Sequence, residues 1–412
     1  MCIAGTIAGV KIVTAVLLAL LTLRCAEDGS AAPPRTAVEV IPSPAGANAA
    51  EPFLSATRDG VLLSWLEPVA GSDRVALRFA RHRGGKWSAP RTIVERNDLF
   101  VNWADFPSIV EDAKGALFAH WLQKSGASTY AYDVRMAAST DGGATWGKPF
   151  LLNRDGKQAE HGFVTLAALP AGGVAATWLD GRNMKAGGDH EHDAGDMTIR
   201  YATVAANGTV AADVALDQRT CECCTTGMAI GARGPVIAYR DRTADEVRDV
   251  SYVTKTAKGW TPPRLVHADG WKINGCPVNG PQVDALGQRV VTAWFTAANE
   301  RQRVLVAFSD DGGATFAKPV AVDDGKPAGR VDVLLLDANT ALVTWLEQTA
   351  SGAEIRARRV PRTGKPPASM KVADSATARA AGFARMARSG NQVWFAWTEQ
   401  TATTKRIHVA RF

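Results

Sequence analysis

The sequence predicts an all-β chain folded as a single β-propeller of four-stranded blades, seven in number, with six as the alternative count. Three observations predict it. A short apolar strand ending in an aromatic recurs at Trp65, Trp121, Trp178, Tyr239, Trp294, Trp345 and Trp397, at intervals of 51 to 61 residues. Six of the 12 Trp occupy that one position. Around each aromatic the same order of strands and Gly, Asp or Asn turns returns, and a supersecondary unit repeated at about 50 residues is the signature of a propeller blade.

Each element has its own signal. A strand upstream of the aromatic ends in a polar turn, as Ile109-Val110 does before Asp112 to Gly115. The aromatic strand follows, as in Leu62-Leu63-Ser64-Trp65. An alternating third strand comes next, such as Val75 to Phe79 or Val304 to Phe308. A Gly-rich turn then leads to a short outer strand, such as Thr92 to Val94 or Pro319 to Val322. The seventh unit ends at Phe412 after its third strand, and Ala37-Val38-Glu39-Val40 is expected to supply the missing fourth. Joining the termini in one blade leaves no open sheet edge.

Composition narrows the function classes. A hydrophobic fraction of 46% sustains a packed core and excludes wholesale disorder or collagen-like structure. The net charge of +6 is dispersed, with no Lys/Arg run longer than two, so no nucleic-acid partner is expected. Ile12 to Leu23, after Lys11, reads as the apolar part of a signal peptide within residues 1–32, with cleavage near Ser30-Ala31-Ala32. Cys25 offers lipidation as the rival reading, although Arg24 before it is a poor lipobox residue. Residues 33–412 are thus expected to form an exported, monomeric propeller, periplasmic or extracellular. Its membrane contact would come only through the leader or a lipid on Cys25.

Two turns carry a family resemblance. Ser139-Thr140-Asp141-Gly142-Gly143-Ala144-Thr145-Trp146 and Ser309-Asp310-Asp311-Gly312-Gly313-Ala314-Thr315-Phe316 resemble the Asp-box of the sialidase superfamily, also called the BNR repeat. Degenerate copies stand at Gly84 to Trp87 and at Gly259-Trp260. The resemblance implies the propeller and lies on the side opposite a sialidase site. Two motifs that it would bring for catalysis are missing. An Arg-bearing F/Y-R-I-P is replaced by Asp105-Phe106-Pro107-Ser108, and blades five to seven hold no Tyr to act as nucleophile. The strings Cys221-Glu222-Cys223-Cys224 and Gly275-Cys276-Pro277-Val278-Asn279-Gly280 resemble a bacterial sialidase-like family of unassigned role.

The loops leading into first strands and those joining second to third strands share one face, where unusual residues of blades two to five collect. The corresponding loops of blades six and seven read as short and plain. Asp105, Asp180 and Asp241 are candidate acid/base groups, because paired carboxylates suit glycoside chemistry. Arg182, Arg240, Arg242, Asn102, Trp103 and Asn279 are candidate ligand contacts. Forked guanidiniums suit anions, and an indole suits a sugar face. Cys221, Cys223, Cys224 and Cys276 read either as two disulfides or as a thiolate site for copper or zinc, with His190, His192 and His161 as further ligands. Nothing in the sequence requires a metal. Three functions stay open: an exported binding protein for an anionic ligand, glycan or metal; a divergent sialidase or related glycoside hydrolase; and a metal- or thiol-redox protein.

Overall fold

The computed structural model describes residues 38–184 and 195–412. The leader, Cys25, His190 and His192 lie outside them. The described residues form seven antiparallel sheets, each with a four-stranded meander, and no α-helix. The first strands are Ala50–Thr57, Ser108–Glu111, His161–Ala168, Gly227–Gly231, Gln282–Leu286, Pro327–Asp337 and Arg385–Ser389. Each lies beside the next and the last lies beside the first, so they ring a central channel. Glu39–Ile41 is the outermost strand of the seventh sheet, antiparallel to Lys405–Arg411, with Glu39 opposite Arg411.

The repeated aromatic is the wedge between blades. Trp65 packs into the apolar cluster shared with blade 7, Trp178 into that shared with blade 2, and Trp345 into that shared with blade 5. Burial of such large rings supplies much of the inter-blade cohesion. Each indole N–H still needs an acceptor, and in blades 1, 3 and 6 the residue two positions on provides it, whereas Trp294 of blade 5 donates to Asp269 at 2.7 Å. Trp65 donates to Glu67 (2.8 Å), Trp178 to Asp180 (2.8 Å) and Trp345 to Glu347 (2.5 Å).

The two full Asp-boxes are self-contained turns. Asp141 accepts the Thr145 amide and hydroxyl, and Ser139 bonds Asp141 and the Gly143 amide. Gly143 sits at φ +82°, and a Cβ there would stand 2.4 Å from the Phe79 ring of blade 1. The turn therefore needs glycine twice over, for its backbone and for its space.

Blades 1, 3 and 6 share a device that the sequence does not announce. Ala50, Gly162 and Gly329 pair with the residue after each repeat aromatic, and the next pairs are Phe53–Ser64, Thr165–Thr177 and Asp332–Thr344. One extra residue is thus inserted in each inner strand. The residue after each first pair, Glu51, Phe163 and Arg330, takes positive φ of 53°, 53° and 62°. Such left-handed non-glycine bulges re-aim a side chain and cluster at functional rims.

Candidate functional site

Arg385 opens the inner strand of blade 7, and its guanidinium carbon lies 4.9 Å from the Phe106 ring of blade 2 and 6.0 Å from the Phe53 ring of blade 1. A side chain from blade 7 reaches a ring of blade 2, beyond its neighbour blade 1, only across the channel. Its residue is 8% exposed, and its Nε has no hydrogen-bond partner among the described residues. Burial pulls its pKa down, against the charges of Asp332 and Asp105. Those carboxylates are engaged elsewhere. Asp105 accepts the Phe163 amide at 2.6 Å, and Asp332 accepts the Met386 amide at 2.7 Å. Burial pushes Asp105 up to about 7 and Asp332 up to about 6. Gly162 makes the first contact feasible, since a Cβ there would stand 2.2 Å from the Asp105 carboxylate.

The mouth of the channel is crossed by the chain between blades 6 and 7, residues 376–384. Phe383 packs against Phe106 and Trp103, with ring centroids 5.5 and 5.9 Å away. Arg330 lies over the Phe383 ring at 4.6 Å, while exposed Arg379 lies over Trp103 at 5.6 Å. Blades 6 and 7 are therefore not plain on this face, as the sequence reading has them; they supply Arg330, Arg379, Phe383 and Arg385. A cleft of about 400 Å³ opens between blades 1 and 7, lined by Glu51, Glu67, Gln400, Thr404 and Lys405 among others. A narrower pocket shares Glu51 and Gln400 and continues to Trp103, Phe106 and Phe383. Burial raises the pKa of Glu51, against Lys405, whose Nζ lies 3.6 Å away.

Most of the residues singled out in the sequence are consumed in holding blades together. Asp180 accepts Trp178 and takes both Nε (2.6 Å) and Nη2 (2.7 Å) of Arg182. His161 is fully buried, with Nε2 on Asp155 at 3.1 Å and Nδ1 near the Tyr132 carbonyl. Burial lowers its pKa, but Asp155 and Asp180 win and raise it. Asp155, His161 and Asp180 could surround an ion, yet Arg182 already neutralises them. Asp241 accepts the Ser251 hydroxyl (2.8 Å) and the Arg242 amide.

Arg240, 1% exposed, gives its donors to the carbonyls of Asn279, Arg248 and Phe295. Asn279 spends its side chain on Pro277, Ala328 and Arg330. Arg242 and Arg248 together clasp Glu222 and Glu246. Asn102 caps its own turn through the Ala104 amide. Of the predicted ligand contacts, Trp103 is the one placed beside the channel mouth. Asp180 holds the same repeat position as Glu67 and Glu347, the acceptor after the aromatic, and that periodicity was the signal for a structural role; Asp241 shares the position, but Tyr239 donates to Asp217 instead.

A Tyr–Glu pair is also present, where sequence reasoning did not look for it. Tyr132 donates to Glu160 Oε1 at 2.8 Å, between blades 2 and 3. Burial pushes Glu160 up to about 8, and burial with the Glu160 and Asp105 charges drives Tyr132 well above its ordinary range. A nucleophilic phenolate needs the opposite shift.

The thiols do meet. Cys221 Sγ lies 3.2 Å from Cys224 Sγ and 3.8 Å from Cys223 Sγ, and the three sulfurs fall within 4.8 Å of one another. Cys276 sits against Cys223. Burial would raise the Cys221 pKa, but hydrogen bonds from Cys223 and Cys224 and the Arg248 charge hold it well below the usual thiol range.

Seven four-stranded blades, two of them carrying full Asp-boxes, with buried arginines on one channel mouth define a propeller of the sialidase class. Residues 70–351 match the BNR repeat-like domain, and the chain belongs to that family. No curated protein matches the chain. Among solved structures, it is similar to a polysaccharide lyase of family PL25, an ulvan lyase, at 11% identity and TM-score 0.58, covering 90% of this chain and 95% of that one. The polysaccharide lyase Uly1 is similar at 10% identity and TM-score 0.53, covering 88% and 89%. The leech intramolecular trans-sialidase follows at 11% identity and TM-score 0.48, covering 85% and 83%. The likeness to the two lyases shows the fold alone.

Proposed function

We propose that the chain is an exported binding propeller for an acidic saccharide, seated in the cleft between blades 1 and 7 with its anionic group toward the channel mouth. The observation that carries the proposal is Arg385, a buried cation whose guanidinium lacks a full set of acceptors. A buried charge without hydrogen-bonded compensation is costly, and a carboxylate or sulfate from a ligand would offset that cost. The cleft has the size of a saccharide site, and Trp103 and Phe383 line the narrower pocket that continues from it. Two of the structurally similar proteins are named as lyases of polysaccharides, and one was solved with a glucuronate- and sulfate-bearing saccharide. The raised Tyr132 and the committed Asp180 and Asp241 favour binding over glycoside hydrolysis. Glu51 keeps the hydrolase as the second reading, because a buried carboxyl of raised pKa at a cleft floor suits a general acid.

Calorimetric titration with uronate- or sulfate-bearing oligosaccharides, against neutral ones of equal length, tests the reading. Acidic oligosaccharides should bind and neutral ones should not. Arg385→Gln and Lys405→Ala should each weaken binding about tenfold. Equal binding of neutral and acidic sugars, or unchanged binding in both variants, would sink the proposal. Turnover of an acidic glycoside that vanishes in Glu51→Gln would establish the hydrolase instead.

A further inference from the structure

We propose that Cys221, Cys223 and Cys224 form a three-coordinate thiolate site for a soft monovalent metal ion, Cu(I). This site is separate from the saccharide proposal, and none of its ligands lines the cleft between blades 1 and 7. Its backbone is fixed before any ion arrives. Thr220 pairs with Asp241, and the Cys221 amide donates to the Arg240 carbonyl at 3.0 Å. The loop then turns so that three sulfurs converge, which a solvated Cys-rich loop has no reason to do.

The donor set selects the ion. The three mutually close groups are all sulfur, with no imidazole or carboxylate among them. Glu222, the carboxylate within the loop, is turned onto Arg242 and Arg248. Thiolates suit soft ions and exclude calcium, magnesium or manganese. Three sulfurs around one ion at bonds of about 2.3 Å stand about 4 Å apart; the Cys221–Cys223 separation of 3.8 Å is close to that, and the Cys221–Cys224 separation of 3.2 Å opens on binding. Structural zinc asks for four ligands, and the fourth sulfur, Cys276, meets Cys223 but lies outside the mutually close set.

The charge of the loaded site is compensated by the protein. Binding follows Cu⁺ plus three thiols giving a copper tris-thiolate of charge −2 and three released protons. Arg248 stands ready, its Nη1 3.3 Å from Cys221 Sγ, and Arg240 places its charge near Cys224. Cys221 and Cys224 are buried whereas Cys223 is half-buried, so the cluster is shielded yet reachable from the channel-mouth face.

The test is anaerobic titration of the reduced full chain with Cu(I) against a chromophoric Cu(I) chelator, followed by X-ray absorption on the loaded wild type. One Cu(I) per chain, held by three sulfurs at about 2.3 Å, is expected. Cys221→Ser and Cys224→Ser should each lower the affinity at least tenfold, with circular dichroism unchanged, while Cys276→Ser should retain it. Competition should leave Zn(II) unable to displace the copper. The inference is overturned if copper is not retained, if two or fewer sulfurs surround it, if Zn(II) displaces it, or if the chain isolated under native conditions carries disulfides among these cysteines that Cu(I) does not replace after reduction.

Discussion

Asp180 illustrates how one carboxylate can look catalytic and be structural. It is fully buried, and the Trp178 indole and the Arg182 fork take its oxygens. Removing one partner of a buried pair leaves an uncompensated charge, so Asp180→Ala should cost about 3–5 kcal/mol in urea denaturation. A loss under about 1 kcal/mol together with abolished ligand binding would return Asp180 to the site. Glu160 and Asp105 make a pH prediction. Their folded pKa values, about 8 and about 7, lie above the ordinary carboxylate range. The folded chain therefore holds more protons than the unfolded chain between about pH 4 and 8. Their contribution is fully present below about pH 4 and is lost as pH rises through 7 and 8. Tyr132 hydrogen-bonds Glu160, and the charges of Asp105, Glu222 and His161 act on it. The stability of wild type relative to Glu160→Gln should decline from pH 5 to pH 9, and a constant difference would refute the assignment.

Elements, more than single residues, were legible in the sequence. The aromatic strands wedge into preceding blades because a period near 50 residues fixes one large ring per sheet. The two Asp-box turns formed as their Ser, Asp and Gly spacing dictates. Gly143→Ala must accept an unfavourable φ and displace Phe79 of the neighbouring blade, so a loss of about 2–3 kcal/mol is expected in chemical denaturation. Gly147→Ala should change stability far less, because a Cβ there meets only the Ala138 carbonyl at 3.3 Å. The bulges at Glu51, Phe163 and Arg330 were illegible, since nothing local marks a non-glycine residue for positive φ. Arg385 was equally hidden. It reads as an ordinary strand-initiating residue until seven inner strands converge and place it against blades 1 and 2. Asp180 is one instance of a repeated acceptor, visible only when the repeats are aligned on their aromatics; Asp241 shares that position, but Tyr239 donates to Asp217 instead.

The described residues form a ring whose last sheet joins Glu39–Ile41 to Lys405–Arg411. Glu39 and Arg411 pair across 372 residues of sequence. Removing residues 1–41 takes away the strand that covers Lys405–Arg411 and exposes a row of unpaired backbone groups. Such a truncation should lower Tm and produce concentration-dependent association on size-exclusion chromatography; a monomer of unchanged Tm would show the outer strand to be dispensable. The same feature governs the order of events at the ribosome. Glu39–Ile41 waits for a partner made 372 residues later, so the growing chain carries this strand unpaired until the seventh sheet is complete. It shuts only once Arg411 has left the exit tunnel.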